Sequence, residues 1–261
     1  MGIALELVTQ QVTAPGSTFT TMVANTGDSQ VVRFTSKKVR MLALWQQRQL
    51  AGQTRVVSPL LHDNVRGMQI GGSVQPDIGW MGPPLQELRG QDTLAVSGTG
   101  SAVAGDIELS SYLLRYDDLP GISGNFISYD DLIKRAVNRH GVRVALTSVA
   151  TGQYGPAAAI NSLDDAFKAN TEYAIVGANI QNFTCAFGIK SPDWGNLRVG
   201  IPGQANLGAY YSDWFARLSF ESGLACIPVF NSANKGQTFV DFADDENATP
   251  ITVVMKLVEL K

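Results

Sequence analysis

Two stretches about half a chain apart carry the same turn chemistry. Ser58-Pro59 is followed by Asn64-Val65-Arg66-Gly67, and Ser191-Pro192 is followed by Asn196-Leu197-Arg198 and then Gly200. Each stretch follows an apolar run rich in β-formers, Val39–Trp45 in one case and Tyr173–Ile180 in the other. The two halves also close alike, with Ile107–Tyr116 running into Asp118-Leu119 and Ile251–Val258 running into Glu259-Leu260. Internal repetition constrains a fold more than any local propensity, because each copy must bury its own apolar face by the same solution. Ser-Pro and Asn/Gly pairs are also ordinary turn formers, so the weight of the repeat comes from the strands around it.

The chain has 261 residues, room for two units near the usual domain size. We read them as residues 1–120 and 121–261, joined in the Pro120-Gly121 and Ser123-Gly124 region. Charged residues make up 16% of the chain against 44% hydrophobic ones, fewer charges than the roughly 25% of an ordinary soluble surface. Much of the exterior is therefore expected to lie against protein. The net charge is −3, and the densest basic group is Arg33, Lys37, Lys38 and Arg40. That is too sparse for counterion-driven nucleic-acid binding and reads as a solvated strand end. No apolar run reaches the ~18 residues of a membrane span, and the N-terminus lacks a secretory pattern. The two cysteines, Cys185 and Cys226, fall inside apolar runs and are expected as buried free thiols.

Short runs of Val, Ile, Phe, Tyr and Thr separated by Gly, Pro, Asn, Asp and Ser predict an all-β fold of sandwich type. The run Ile251–Val258 alternates, as does Ser212–Phe220, where Trp214, Ala216, Leu218 and Phe220 share a face and Phe215 is the exception; both are expected as strands. Two helices are expected. Ser128 caps Tyr129–Arg139, a linker helix stopped by Gly141, and Ser162 caps Leu163–Ala169. In both, the acidic pair (Asp130-Asp131, Asp164-Asp165) suits the first turn of the helix. The Pro/Gly-rich segment 73–90 excludes a central strand there.

A catalytic constellation is not expected. Metal chemistry in a β-barrel needs several converging ligands, and the only histidines are His62, in a loop, and His140, expected at the end of the linker helix. No Gly-x-Ser-x-Gly elbow or Gly-Lys-Ser/Thr cradle occurs. Asp117-Asp118 is a weak candidate for paired-carboxylate hydrolysis. Asp244-Asp245-Glu246-Asn247 is a candidate calcium loop without the spaced ligand pattern, and reads first as a solvated hairpin tip. Trp45, Trp80, Trp194 and Trp214, with Tyr210-Tyr211, are candidates for interface anchors or a sugar-stacking platform, with Trp80 and Trp194 expected in exposed loops.

Taken together, tandem sandwiches with few charges and no catalytic set resemble the double jelly-roll major capsid proteins of tailless icosahedral double-stranded DNA viruses. The resemblance is one of architecture and covers the whole chain; it is most suggestive from Ser191-Pro192-Asp193-Trp194-Gly195-Asn196-Leu197-Arg198 through Ala225–Asn234. It implies two tandem jelly-roll β-sandwiches with a short helical connection, from a bacterial virus. It implies a homotrimer whose six jelly rolls form a pseudo-hexagonal tile in the virion shell, made in the host cytoplasm. The implied partners are the chain itself, neighbouring capsomers, minor capsid or penton proteins and, in some members, an internal membrane, with no sequence-specific nucleic acid. No catalytic, cofactor or metal residues are implied. Met1–Val12 is a candidate extended arm reaching a neighbour, with ordinary fraying of a terminus as the alternative. The alternative class is a carbohydrate-binding, lectin-like or receptor-binding spike module.

Overall fold

The computed structural model describes residues 2–25, 28, 31–33, 39–46, 52–58, 67–71, 77–78, 87–88, 93–180, 184–203, 211–244 and 250–261. Within these, the chain is mostly β and its strands fall into four sheets. In the first part the strands are β1 (Ala4–Thr13), β2 (Thr20–Thr21), β3 (Val23–Ala24), β4 (Val39–Gln46), β5 (Gln53–Val57), β6 (Met68–Gly71), β7 (Asp77–Ile78), β8 (Glu87–Leu88), β9 (Ala95–Gly98) and β10 (Ile107–Tyr116). One sheet has the order β3-β1-β10-β4-β7, with β8 also on β4, and the other has the order β2-β9-β5-β6. Ala4, Val8, Met41, Tyr112 and Leu114 from the first sheet share a core with Val56 and Val96 from the second.

The later strands repeat this plan. They are β11 (Phe126–Ile127), β12 (Ala136–Thr147), β13 (Ala158–Ala159), β14 (Glu172–Asn179), β15 (Thr184–Lys190), β16 (Val199–Pro202), β17 (Ile227–Asn231), β18 (Phe239–Asp244) and β19 (Pro250–Leu260). The sheet orders are β11-β17-β14-β19-β12 and β13-β18-β15-β16. With the strands of each copy lettered B to I along the chain, both copies read B-I-D-G against C-H-E-F. That is the jelly roll, in which two interleaved Greek keys pair the first strand with the last. The fold is therefore a double jelly roll.

Of the repeat legible in the sequence, residues 59–66 of the first copy lie outside the described residues, and the two serines fall at equivalent places. Ser58 follows β5 and Ser191 follows β15, the same strand of each copy. A bulge recurs as well. Leu113 pairs with Ala43 and Leu114 with Met41, so Leu42 is the extra residue; Ile175 pairs with Leu257 and Gly177 with Lys256, so Val176 is the extra residue. Both bulges sit in the same strand of their copy against the same partner, where a β-bulge adds local twist.

Three expected elements differ. The linker helix α1 (Tyr129–Arg135) starts at its expected cap, Ser128 Oγ accepting from the Asp131 amide at 3.1 Å, but it ends at Arg135. Residues 136–147 leave it as β12 and pair with β19 along their length. The alternation Val142, Val144, Leu146 facing the core outweighs a local helical stripe, and Gly141 is a strand residue rather than a stop. Ser212–Phe220 is not a strand: Trp214–Ser222 forms α2. Phe215, the exception to alternation, was the helical signal, because Trp214, Phe215 and Leu218 are all buried and lie on one helical face. Arg217 and Glu221 pair at 3.0 Å one turn apart, and Gly223, at φ 68°, ends the helix.

Leu163–Ala169 is not helical. Its acidic pair is committed elsewhere. Asp164 accepts from the Arg143 amide (2.8 Å) and guanidinium, which holds the segment on the β12 edge, while Asp165 pairs with Lys235 at 2.5 Å. Isolated helices this short are marginal, so tertiary contacts decide the backbone.

Candidate functional site at the junction between the sandwiches

The expected N-terminal arm is a strand of the sheet instead, Ala4–Thr13 pairing along its whole length with β10. Its two faces serve different sandwiches. Ala4, Val8 and Val12 enter the first core, while Leu5 and Leu7 belong to the apolar cluster of the second. Leu7, Leu113 and Ala43 form one cross-strand row, and this row packs into the second sandwich's cluster with Phe187 and Ile201. Strand β16 lies across β1, β10 and β4, and the Leu7 amide donates to the Arg198 carbonyl at 2.7 Å. Gly200 makes the approach possible, because an added Cβ would lie 2.6 Å from Leu7 Cδ2 and 2.0 Å from the Phe187 carbonyl oxygen. Burying each leucine here contributes roughly 1.5–3 kcal/mol.

At the centre of the junction lies Arg198. Its guanidinium donates to Asp28 of the first sandwich at 2.5 Å and to Asp241 of β18 at 3.0 Å, and stacks 3.5 Å from the ring centroid of Tyr154. The side chains of Arg198, Asp28 and Asp241 are 7%, 2% and 5% exposed, so the group is sealed from water. The Thr9 amide donates to Asp28 Oδ2 at 2.9 Å, and the Thr9 and Tyr154 hydroxyls lie 2.8 Å apart. The Asn25 side-chain amide donates to the Gly152 carbonyl across the same seam. Burial raises the Asp28 carboxyl to about 6; the attraction of Arg198 and the Thr9 amide offsets only part of it. Burial also opposes the charge on Arg198, but Tyr154, Asp241 and Asp28 together outweigh it and raise its pKa.

Behind β1, a second polar group threads the first core. Glu6 accepts from Arg33 at 2.9 and 2.6 Å and from the Tyr116 hydroxyl at 2.6 Å. Burial first, and the Glu6 charge next, push the Tyr116 hydroxyl well above its ordinary range. A carboxylate inside a sandwich is tolerated only with such partners.

The residues singled out in the sequence land as follows. Trp194 is not exposed: it is buried in the 3-10 turn Pro192–Trp194, its indole N–H donating to the Leu197 carbonyl at 3.1 Å. Gly195 (φ 71°) and Asn196 (φ 59°) then turn the chain back through left-handed conformations. Trp214 and Tyr211 are buried too, so these three form no sugar platform. The side chains of Trp45, Trp80 and Tyr210 lie outside the described residues. His140 is not at a helix end; it lies in β12, edge-on to Tyr173 (5.2 Å) and Phe167 (6.3 Å). Burial lowers its pKa, Glu259 opposing the shift and Lys168 adding to it. His62, Lys37 and Lys38 fall outside the described residues; of the same basic group, Arg33 pairs with Glu6 and Arg40 lies 3.5 Å from Asp117. Asp117 also accepts from Arg115, so it faces cations, not a second carboxylate. Asp244 is buried at the end of β18, unlike a solvated hairpin tip, and 245–249 lie outside the described residues. Among the described residues no three His, Cys, Asp or Glu side chains gather as a metal set. Cys185 and Cys226 are buried free thiols. An open groove of about 400 Å³ lies by β12 and β19, lined by Arg139, His140, Lys256, Asn179 and Asp213 among others. Sequence reasoning missed the junction, whose partners include Asp28 and Arg198, 170 positions apart.

No protein-family model matches the chain, and no curated protein matches its sequence. Among solved structures, it is similar to the major capsid protein P2 from bacteriophage PM2, at 8% identity and a TM-score of 0.22, over 99% of this chain and 98% of that one. It is also similar to the STIV MCP, at 8% identity and a TM-score of 0.24, over 100% of this chain and 97% of that one.

Proposed function

We propose that this chain is a structural subunit, the major capsid protein of an icosahedral virion shell, and that it works as a homotrimer whose six jelly rolls make a pseudo-hexagonal tile. The observation that carries the reading is the B-I-D-G and C-H-E-F strand order found twice in one polypeptide, with the outer face of one sandwich buried on the other. The division into units 1–120 and 121–261 belongs to the same proposal; the named strands pair only within these ranges, with the bridge Ile3 to Gly124 tying them together. A contact that joins one face of a jelly roll to a different face of its sibling is heterologous, and such contacts propagate into rings when the rotation closes. The partners are further copies of the chain, with minor capsid or penton proteins at the shell's vertices, in a virion assembled from subunits made in the host cytoplasm.

Light scattering on the purified chain, with electron microscopy of any larger particles, tests the reading. A stable trimer or shell fragments with six-lobed tiles is the expected result. A monomer at high concentration, or turnover or specific binding of a small ligand or glycan by that monomer, would overturn it.

A further inference from the structure

The outer faces of the two sandwiches correspond residue by residue. The shared bulges fix the register: Leu113, next to the bulge at Leu42, corresponds to Lys256, next to the bulge at Val176. The row Leu7–Leu113–Ala43, on which β16 sits, therefore corresponds to Gly141–Lys256–Gly177. The Thr9 amide that donates to Asp28 at 2.9 Å corresponds in turn to the Arg143 amide that donates to Asp164 at 2.8 Å. One face is filled by the sibling sandwich; the other carries the open groove lined by Gly141, Lys256, Arg139 and Asp213. We propose, on the reading of the chain as a self-assembling subunit, that this groove and the adjoining edge of β12 receive strand β6 of a second copy, repeating between chains the contact that β16 makes on β1 within one.

Strand β6 is the counterpart of β16. Both end their sheets, and Val56, two residues before Ser58, pairs with Met68 as Ile189, two residues before Ser191, pairs with Val199. Gln69 thus stands where Gly200 stands, and Gly67 where Arg198 stands. Within the chain the receiving face offers the large Leu7 and the incoming strand a glycine, Gly200. Between chains the roles exchange: the receiving face offers Gly141 and the incoming strand the exposed Gln69. Charge is exchanged in the same way. Asp28 takes its cation, Arg198, from the sibling sandwich, whereas Asp164 is already paired with Arg143 of its own, at 2.9 Å, and Gly67 brings none. The edge amides match too. Alternate residues of an antiparallel edge strand turn their amides outward; Arg143 does so toward Asp164, so Gly141 does as well, exposed and with no partner among the described residues. Its counterpart, the Leu7 amide, donates to the Arg198 carbonyl at 2.7 Å, and the Gly67 carbonyl is the corresponding acceptor. Each copy is then host and guest at once, the heterologous arrangement that closes into a ring.

The test uses the full chain carrying Gln69→Cys and Arg139→Cys together. Both positions are exposed, Arg139 lies on the same strand face as Gly141, and the native Cys185 and Cys226 are buried. After treatment with a short bis-maleimide, a denaturing gel is expected to show covalent dimers and trimers of the double variant, while either single variant stays monomeric, because a heterologous contact brings position 69 to 139 and never to its own copy. In the assembled parent protein the Gly141 amide is expected to exchange at least about tenfold more slowly than its intrinsic rate. No cross-link in the double variant, equal cross-linking in a single variant, or a Gly141 amide exchanging at its intrinsic rate, in protein that light scattering shows to be assembled, overturns this contact and leaves the capsid reading standing. A chain that is monomeric at every concentration overturns both. Should the double variant fail to fold, hydrogen exchange on the parent decides the matter alone.

Discussion

Gly200 Cα faces Leu7 across the seam so closely that a single methyl group there would overlap both the leucine side chain and the backbone of β15. Overpacking of this kind costs about 1–3 kcal/mol, and more where backbone cannot yield. Gly200→Ala is therefore expected to lower stability by about 3 kcal/mol and to loosen the junction. Urea unfolding followed by near-ultraviolet circular dichroism would measure it. A loss below about 0.5 kcal/mol would mean that the sandwiches approach less closely than described.

Tyr116 donates to Glu6 inside the first core, and its loss leaves a buried carboxylate one bond short. Hydrogen bonds to charged groups contribute about 1.5–3 kcal/mol. Tyr116→Phe should destabilise the protein by that amount with its packing preserved. Equilibrium unfolding of the variant beside the parent checks this, and an unchanged midpoint would show that Arg33 alone satisfies the carboxylate.

His140 has a pKa lowered by burial against Phe167 and Tyr173. A folded-state pKa below the unfolded value of about 6.5 means that the neutral ring supports the fold above that pH, and that this support is lost as the pH falls through the folded value. His140→Gln should therefore lose less melting temperature than the parent between pH 7 and pH 5. A steeper loss in the variant would reverse the assignment.

Cys185 and Cys226 are wholly buried, and burial pushes the Cys226 thiol up to about 11. Neither should react with a water-soluble thiol reagent in the native protein, and both should react on denaturation. Counting thiols released with and without denaturant is sufficient. Rapid native labelling at either position would contradict the packing of the strands that carry them.

The parts of the fold that were legible in sequence are those written in local pattern. The Ser191 turn, the runs that became β4, β14, β10 and β19, and the Ser128 cap all carry their own chemistry. Where pattern was ambiguous, tertiary packing decided it. Ala136 and Arg139 fit a helix until β19 offers partners in Leu260 and Val258, and the Trp214-Phe215 pair breaks alternation because both face one side of α2. Trp194 looked exposed because Pro192 and Gly195 flank it with turn residues; the turn folds inward and the indole fills the core. The Asp28–Arg198 contact left no local trace, since no spacing rule links residues so far apart in the chain. An isolated charge inside a stretch of otherwise buried strand, such as Glu6 in Ala4–Val12, was the one signal available for the polar interior.

The double allegiance of β1 bears on how the protein is made. Its first sandwich can close once β10 has left the ribosome, but Leu5, Leu7 and Leu113 then have nothing to cover them until β16 follows. At roughly 5–20 residues per second, the nascent chain carries an uncovered oily strip for several seconds. Early termination of translation between those two strands would release a sandwich that is complete in its pairing and sticky on one side, a species that chaperones must hold or proteases remove.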